Sequence, residues 1–261
     1  MKTLIISPHL DDALFSLSSI FKAGGNFVIA TVFTQECPNE YLKGDYAAYG
    51  DMKTRKQEDI AAITFLNKIP GTKVQYIHLD YPDTLFRKGN NAPFILPLID
   101  DMRELYIQKY DKIYCPLGVG EHPDHVFVYD ICQNVFGNNA IYYCEFPYSA
   151  LKLNRVKRFN RLGLDLNHDL DLDLDWSDYL DYYTHPIYAS TLGVLRFFRL
   201  FRKFRCFTPA VYSVRQELHE IDVEFKYGLV SHYKTQIVPI FGSLERLKKE
   251  LQKETLVHFI S

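Results

Sequence analysis

Five short apolar runs constrain the fold more than anything else in this chain: TLIIS (3–7), NFVIATVFT (26–34), KVQYIHL (73–79), KIYCP (112–116) and AIYYCEF (140–146). They are rich in β-branched and aromatic residues and nearly lack the polar alternation of a half-exposed strand, so they read as strands covered on both faces. Helix-length segments lie between them, at about residues 12–23, 51–68, 93–109 and 123–136. In the second, Asp51 stands where an N-cap is expected, and Ile60, Ile63 and Leu66 share one helical face. Strands alternating with helices need right-handed crossovers, which predicts an α/β fold: a Rossmann-like, mostly parallel sheet flanked by helices. Ligands of such sheets bind beyond the carboxyl ends of the strands.

Two of the five runs end in clusters of polar, metal-binding side chains. TLIIS leads into SPHLDDA (7–13), and KIYCP leads into GVGEHPDHV (118–126). These strand ends supply His9, Asp11, Asp12, His122, Asp124 and His125. His9 and Asp12 are three apart, as are His122 and His125, so each pair can face one point where the chain enters a helical turn. Pro123 suits the first helical position, which puts His125 in the first turn, at a helix end that favours a hydroxide or an oxyanion. Two imidazoles and one carboxylate with an open fourth position make a catalytic zinc site, whereas structural sites are closed and usually cysteine-rich. Among the residues such a choice leaves over are an aspartate and a histidine for proton transfer and oxyanion stabilisation. The same donor set also accepts iron or cobalt.

Charge and cysteine usage narrow the surroundings. The 30 basic and 32 acidic residues leave a formal net charge of -2, so no global field points to a nucleic-acid partner. The five cysteines, at 37, 115, 132, 144 and 206, include no C-x-x-C pair and read as reduced structural thiols. The first apolar run is too short for a signal peptide or a membrane span, and a cytoplasmic location is the expectation. The chain is expected to form a single domain over 1–261, with a Rossmann-like core in 1–150 and an elaborated half in 151–261. That half holds the basic stretch NRVKRFNR (154–161) and a run over 165–183 with seven aspartates. The run lacks the glycine and terminal glutamate of an EF-hand loop and reads as a solvated insertion. LGVLRFFRLFRKFRCF (192–207) reads as an amphipathic helix with Val194, Phe197, Phe198 and Phe201 opposite Arg196, Arg199 and Lys203. Such a helix packs on its domain, lies on an anionic membrane or closes over an anionic substrate.

HLDD (9–12) and HPDH (122–125) together resemble the two motifs of the LmbE-like, or GlcNAc-PI de-N-acetylase (PIG-L), family of zinc-dependent N-deacetylases. The resemblance implies zinc ligands His9, Asp12 and His125, a general base Asp11, and an electrophilic partner His122, protonated and oriented by Asp124. TRKQEDIAA (54–62) is similar to a family helix that would place Arg55 near the substrate, and LDYPDTLFR (79–87) to a loop in which Asp83 would hold sugar hydroxyls. EFPY (145–148) and KYGLVSHYKTQ (226–236) resemble later family segments. Leu10 replaces the usual proline of the first motif, and Gln35 and Glu36 stand where many members are glycine-rich. The resemblance covers residues 1–150 well and the rest at intervals. It implies a hydrolase with one zinc ion that removes an N-acetyl group from a GlcNAc-like amino sugar or its conjugate, free, nucleotide-linked or lipid-linked. Two alternatives stand beside it: a metal-binding sugar-binding or regulatory relative without activity, and a metallohydrolase acting on another acyl amide. A two-metal phosphoesterase would need more ligands than the two motifs offer.

Overall fold

The computed structural model describes residues 1–36, 50–87, 90–165, 177–178, 180–181, 212–251 and 254–259. The 192–207 helix, most of the aspartate-rich run, Cys37 and Cys206 lie outside the described residues. The chain runs β1 (Lys2–Ser7), α1 (Asp12–Ser16), α2 (Ser18–Lys22), β2 (Gly25–Phe33), α3 (Met52–Leu66), β3 (Thr72–Tyr81) and the short turn α4 (Thr84–Arg87). It continues through α5 (Ile95–Ile107), β4 (Lys112–Pro116), α6 (Pro123–Val135), β5 (Ile141–Tyr143), α7 (Lys152–Leu162) and β6 (Leu164–Asp165). The last described elements are β7 (Tyr212–His219), α8 (Val223–Val230), α9 (Lys234–Phe241), α10 (Leu244–Glu250) and β8 (Glu254–Phe259).

The strands form one sheet in the order β3-β2-β1-β4-β5-β8-β7-β6. The first five are mutually parallel, and β8 pairs antiparallel with both β5 and β7. From β1 the chain winds outward to β2 and β3, then returns to lay β4 on the other side of β1, which makes the β1/β4 boundary the switch point of the sheet. Successive residues of β1 point to opposite faces, and both faces are covered. Leu4 and Ile6 join a core with Val28, Met102, Cys115 and Val128, while Ile5 joins one with Leu14, Phe15, Ile63 and Tyr233. This explains the unbroken apolar character of the run. Cys115, Cys132 and Cys144 are buried free thiols.

Three expectations need correcting. The helix expected over 12–23 breaks at Leu17, because the Ser18 and Ser19 amides, the first of α2, donate to Glu254 Oε1 (2.8 Å) and Oε2 (3.0 Å). Ile60 lies on the exposed side of α3, which instead buries Met52, Arg55, Asp59, Ala62, Ile63 and Leu66. The charged stretch near 242–254, which reads by sequence as a terminal helix, is helical over Leu244–Glu250, and the chain then supplies β8. Neither β7 nor β8 was expected; three-residue β5 would otherwise end the parallel sheet on an unpaired edge. No helix among the described residues is long and apolar enough to cross a membrane.

Glu254 is itself buried, and its counter-ion is Lys226 of α8, Nζ to Oε1 3.1 Å, with the side chains 1% and 2% exposed. Lys226→Met would leave that carboxylate without its cation. A loss of about 3–5 kcal/mol is expected, lowering Tm by roughly 10 °C, with partial recovery in the Lys226→Met/Glu254→Gln double variant, read from thermal melts. Asp51 does cap α3, accepting from the Thr54 amide at 3.0 Å. Hydrogen bonds from the Thr54 hydroxyl and amide hold its carboxyl below the ordinary 3.8. Asp51→Ala should therefore cost about 1 kcal/mol near neutral pH. A depressed carboxyl stabilises only while ionised, so in urea melts the difference should shrink as pH falls through the folded-state value.

Candidate metal centre

Adjacent parallel strands end side by side, so the Leu4↔Ile113 and Ile5↔Tyr114 pairing of β1 with β4 delivers both polar motifs to one spot. After β1 the turn is shaped by Ser7, whose hydroxyl donates to His9 O (2.6 Å) and accepts from the Ala13 amide (3.1 Å). Asp12 is the first residue of α1 and turns back to accept from the His9 amide at 2.8 Å. After β4 the chain passes through three positive-φ residues, Gly118, Gly120 and Glu121, before His122 caps α6 with Pro123 at its start. His125 follows in the first turn, facing back over β1.

The side chains converge closely. His9 Nδ1 lies 3.2 Å from His125 Nε2, and both lie 3.1 Å from Asp12 Oδ2. Donors about 2 Å from a tetrahedral ion stand roughly 3.3 Å from one another, so this triangle has the spacing a divalent ion requires. Two imidazole nitrogens facing each other beside a carboxylate are also an unfavourable dry arrangement without a shared cation. The three imidazoles of His9, His122 and His125 stand 5.1–5.2 Å apart, and Asp83 and Asp124 approach His9 from its other edge. Among the described residues, His9/His122/His125 and His9/Asp83/Asp124 are further groupings able to hold an ion. A divalent metal is the ligand class that suits this donor set.

Burial and charge tune these groups against one another. Burial would lower the His9 pKa, but Asp12, Asp124 and Asp83 outweigh it and hold it well above the usual imidazole range. Burial alone would raise Asp12, yet His125 and His9 keep its carboxyl well below the ordinary range. Asp11 is pushed up, by burial first and by Asp12, with the Arg55 guanidinium opposing at 3.4 Å. His122 is pushed down to about 3 by burial and by the neighbouring His125 and His9.

The structure brings all six motif residues together but changes two expected relationships. The Asp124 carboxylate does not orient His122: Oδ2 receives His9 Nε2 (3.0 Å) and the Thr84 amide (3.1 Å), and Oδ1 pairs with Arg87. His122 is oriented by the Asp124 backbone amide, which donates to its Nδ1 at 3.3 Å, because a helix cap must satisfy that amide. Because Nδ1 accepts from that amide, the His122 ring in this arrangement is the neutral form and not the imidazolium, the same direction in which burial and the neighbouring imidazoles push it. Arg55 lies at the edge of the cluster, 5% exposed, with Nη2 3.4 Å from Asp11 Oδ1. Asp83 is buried at the edge of the cluster, Oδ2 3.4 Å from His9 Nε2, with Oδ1 accepting from the Leu85 amide.

Sequence reading assigned no role to Arg87, Glu145 or Tyr148, although all three lay in stretches singled out above. Glu145 is fully buried, receives the Gly118 (2.6 Å) and Val119 (2.9 Å) amides, and stands 3.5 Å from His125 Nδ1. Tyr148 packs edge-on against His125, ring centroids 5.3 Å apart.

The fold and the cluster define a class: an α/β protein with a divalent-metal candidate site at the switch point of its sheet. The family model described as GlcNAc-PI de-N-acetylase (PIG-L) matches residues 4–136, just over half of the chain. The chain belongs to that family, and with it to the metal-dependent N-deacetylases of amino sugars. No curated protein matches it. Its fold is shared by Dbv21, a deacetylase of the A40926 pseudoaglycone, at 20% identity and TM-score 0.64, covering 99% of this chain and 96% of that one. The zinc-inhibited form of the teicoplanin deacetylase Orf2 superposes at 18% identity and TM-score 0.65, covering 100% and 98%. A deacetylase–teicoplanin complex from the teicoplanin biosynthesis pathway gives 17% identity and TM-score 0.60, covering 100% of both chains.

Gly120 decides where Tyr148 sits. At φ +85 a Cβ there would meet the Tyr148 ring at 2.4 Å. Gly120→Ala should force the ring off the imidazoles, at a cost of about 1–3 kcal/mol in urea melts and with an altered near-ultraviolet circular dichroism.

Proposed function

We propose that this chain is a zinc-dependent amidohydrolase that removes an N-acetyl group from an amino sugar or amino-sugar conjugate, with His9, Asp12 and His125 as the metal ligands. The observation that carries the reading is the 3.1–3.2 Å triangle of His9 Nδ1, Asp12 Oδ2 and His125 Nε2 in a chain of this family. A bound zinc ion supplies Lewis acidity, polarising the amide carbonyl and acidifying water.

The chain's own residues do the rest. Asp11 takes the proton of the attacking water and delivers it to the departing amine, so that one amide and one water become acetate and a free amine. Its raised pKa suits it to accept a proton and then release it, and Arg55 stands 3.4 Å from its Oδ1. His122 accepts from the Asp124 amide through Nδ1, so its neutral ring carries the proton on Nε2. That N–H donates to the oxyanion of the tetrahedral intermediate, and no imidazolium is needed. Asp83, next to His9, is assigned to the sugar hydroxyls, and Arg55, beside Asp11, to the substrate side of the same cluster.

The β5–β8 pairing ties the two halves of the sheet together and supports a single catalytic domain. Buried free thiols accord with the reducing cytoplasm. An N-acetylated amino sugar is the partner, free or linked to a nucleotide or lipid. The test is metal content together with acetate release from those three kinds of substrate. Near one equivalent of metal is expected, with activity lost on chelation and restored by zinc. Asp11→Ala should keep the metal while kcat falls about 10²–10⁴-fold. Metal without acetate from any substrate would favour another acyl group or a sugar-binding relative.

A further inference from the structure

Behind His9 stands a buried arginine that the reaction scheme above does not use. Arg87 ends α4, just beyond β3, and its side chain is 2% exposed. Every arm of its guanidinium is occupied. Nε donates to Asn91 Oδ1 (2.7 Å), Nη1 to the Pro82 carbonyl (2.7 Å), and Nη2 pairs with Asp124 Oδ1. The plane lies 4.4 Å from the centre of the Phe33 ring and 5.6 Å from that of Phe127. A buried guanidinium held at two points besides Asp124 and stacked on an aromatic ring cannot follow a carboxylate that moves. It therefore dictates where the Asp124 carboxylate sits.

That position matters because of what the other carboxylate oxygen does. Asp124 Oδ2 faces His9 Nε2 at 3.0 Å. An ionised carboxylate only accepts, so His9 turns an Nε2–H toward Asp124, and Nδ1, on the side of Asp12 and His125, is the nitrogen that would meet an ion held between them. Asp83 crowds the same imidazole edge at 3.4 Å, and two carboxylates on one edge would repel without a fixed cation. Arg87 supplies that cation to Asp124.

We propose that Arg87 is a positioning residue of the metal centre: through Asp124 it fixes the tautomer and orientation in which His9 presents Nδ1 to the ion. The proposal rests on the metal reading above. A merely structural ion pair would change stability and leave the metal untouched, and this separates the two roles. His125 has a counterpart in Glu145, but backbone amides hold that carboxylate, so the arginine is particular to the His9 side.

Cobalt is the probe, added to metal-stripped wild type, Arg87→Met, Arg87→Lys and Asp124→Asn, with affinity measured by chelator competition and the site read from its visible absorption. Arg87→Met is expected to weaken cobalt binding about 10–100-fold and to alter the absorption bands, with kcat falling more than KM changes. Arg87→Lys keeps the charge but cannot hold all three anchors, and should lose several-fold less; it decides the matter where Arg87→Met does not fold. The Arg87→Met/Asp124→Asn double variant should lose no more than the worse single one, since both act through one contact. Unchanged affinity and spectrum in the folded arginine variants, or fully additive losses, would overturn the positioning role alone. A wild-type chain that takes up no cobalt would overturn it together with the metal reading.

Discussion

The structure depends on one piece of topology: β1 and β4 are parallel neighbours although about 110 residues of chain separate them. Sheet hydrogen bonding sets neighbouring strands less than 5 Å apart, so whatever follows each strand emerges beside the other. His9 and Asp12 come from the first and His125 from the second, and the site exists only because both strand ends open on the same edge. At that edge the chain on either side of the switch point turns away to opposite sides. This leaves room for polar side chains that a closed core would not tolerate. The α6 N-terminus adds a favourable field for negative charge at the same place.

A cluster so rich in buried carboxylates needs a separate partner for each, because an uncompensated buried charge costs several kcal/mol. The molecule provides two kinds. Guanidinium groups serve Asp11 and Asp124, through Arg55 and Arg87 respectively. Backbone amides serve Glu145 and one oxygen of Asp83. Asp12 differs from these in lying between two imidazoles, 3.1 Å from both His9 and His125, while also accepting from the His9 amide. This division suits a site where one carboxylate must meet an ion and the others must stay where they are.

Among the described residues of the C-terminal half, several brace the turn that carries the first motif. Tyr233 is fully buried, and its hydroxyl stands 2.7 Å from Asp59 Oδ1 and 3.2 Å from the Leu10 carbonyl. Glu254 at the start of β8 gathers Ser18 and Ser19 with Lys226 and anchors α2 just downstream. Leu10, which stands where the resembled motif has proline, is therefore held by a long-range contact where proline would have supplied a local restraint.

Much of this was legible in the linear chain, and the parts that were not share a cause. Strand runs, the Asp51 cap, Pro123 at a helix start and the two polar motifs are local patterns whose meaning follows from residues a few positions apart. They determined the parallel α/β core, the strand ends that carry the chemistry and the six residues that gather there. Tertiary structure alone decided that Asp124 serves His9 and not His122, that Arg55 stands beside Asp11, and that Arg87 and Glu145 stand behind the imidazoles. It also decided that β8 closes the parallel sheet and that Ile60 faces outward. A carboxylate has two oxygens and an imidazole two nitrogens. Which partner each one finds depends on side chains brought together by strand pairing across the whole chain, and no pattern of neighbours in sequence encodes that choice.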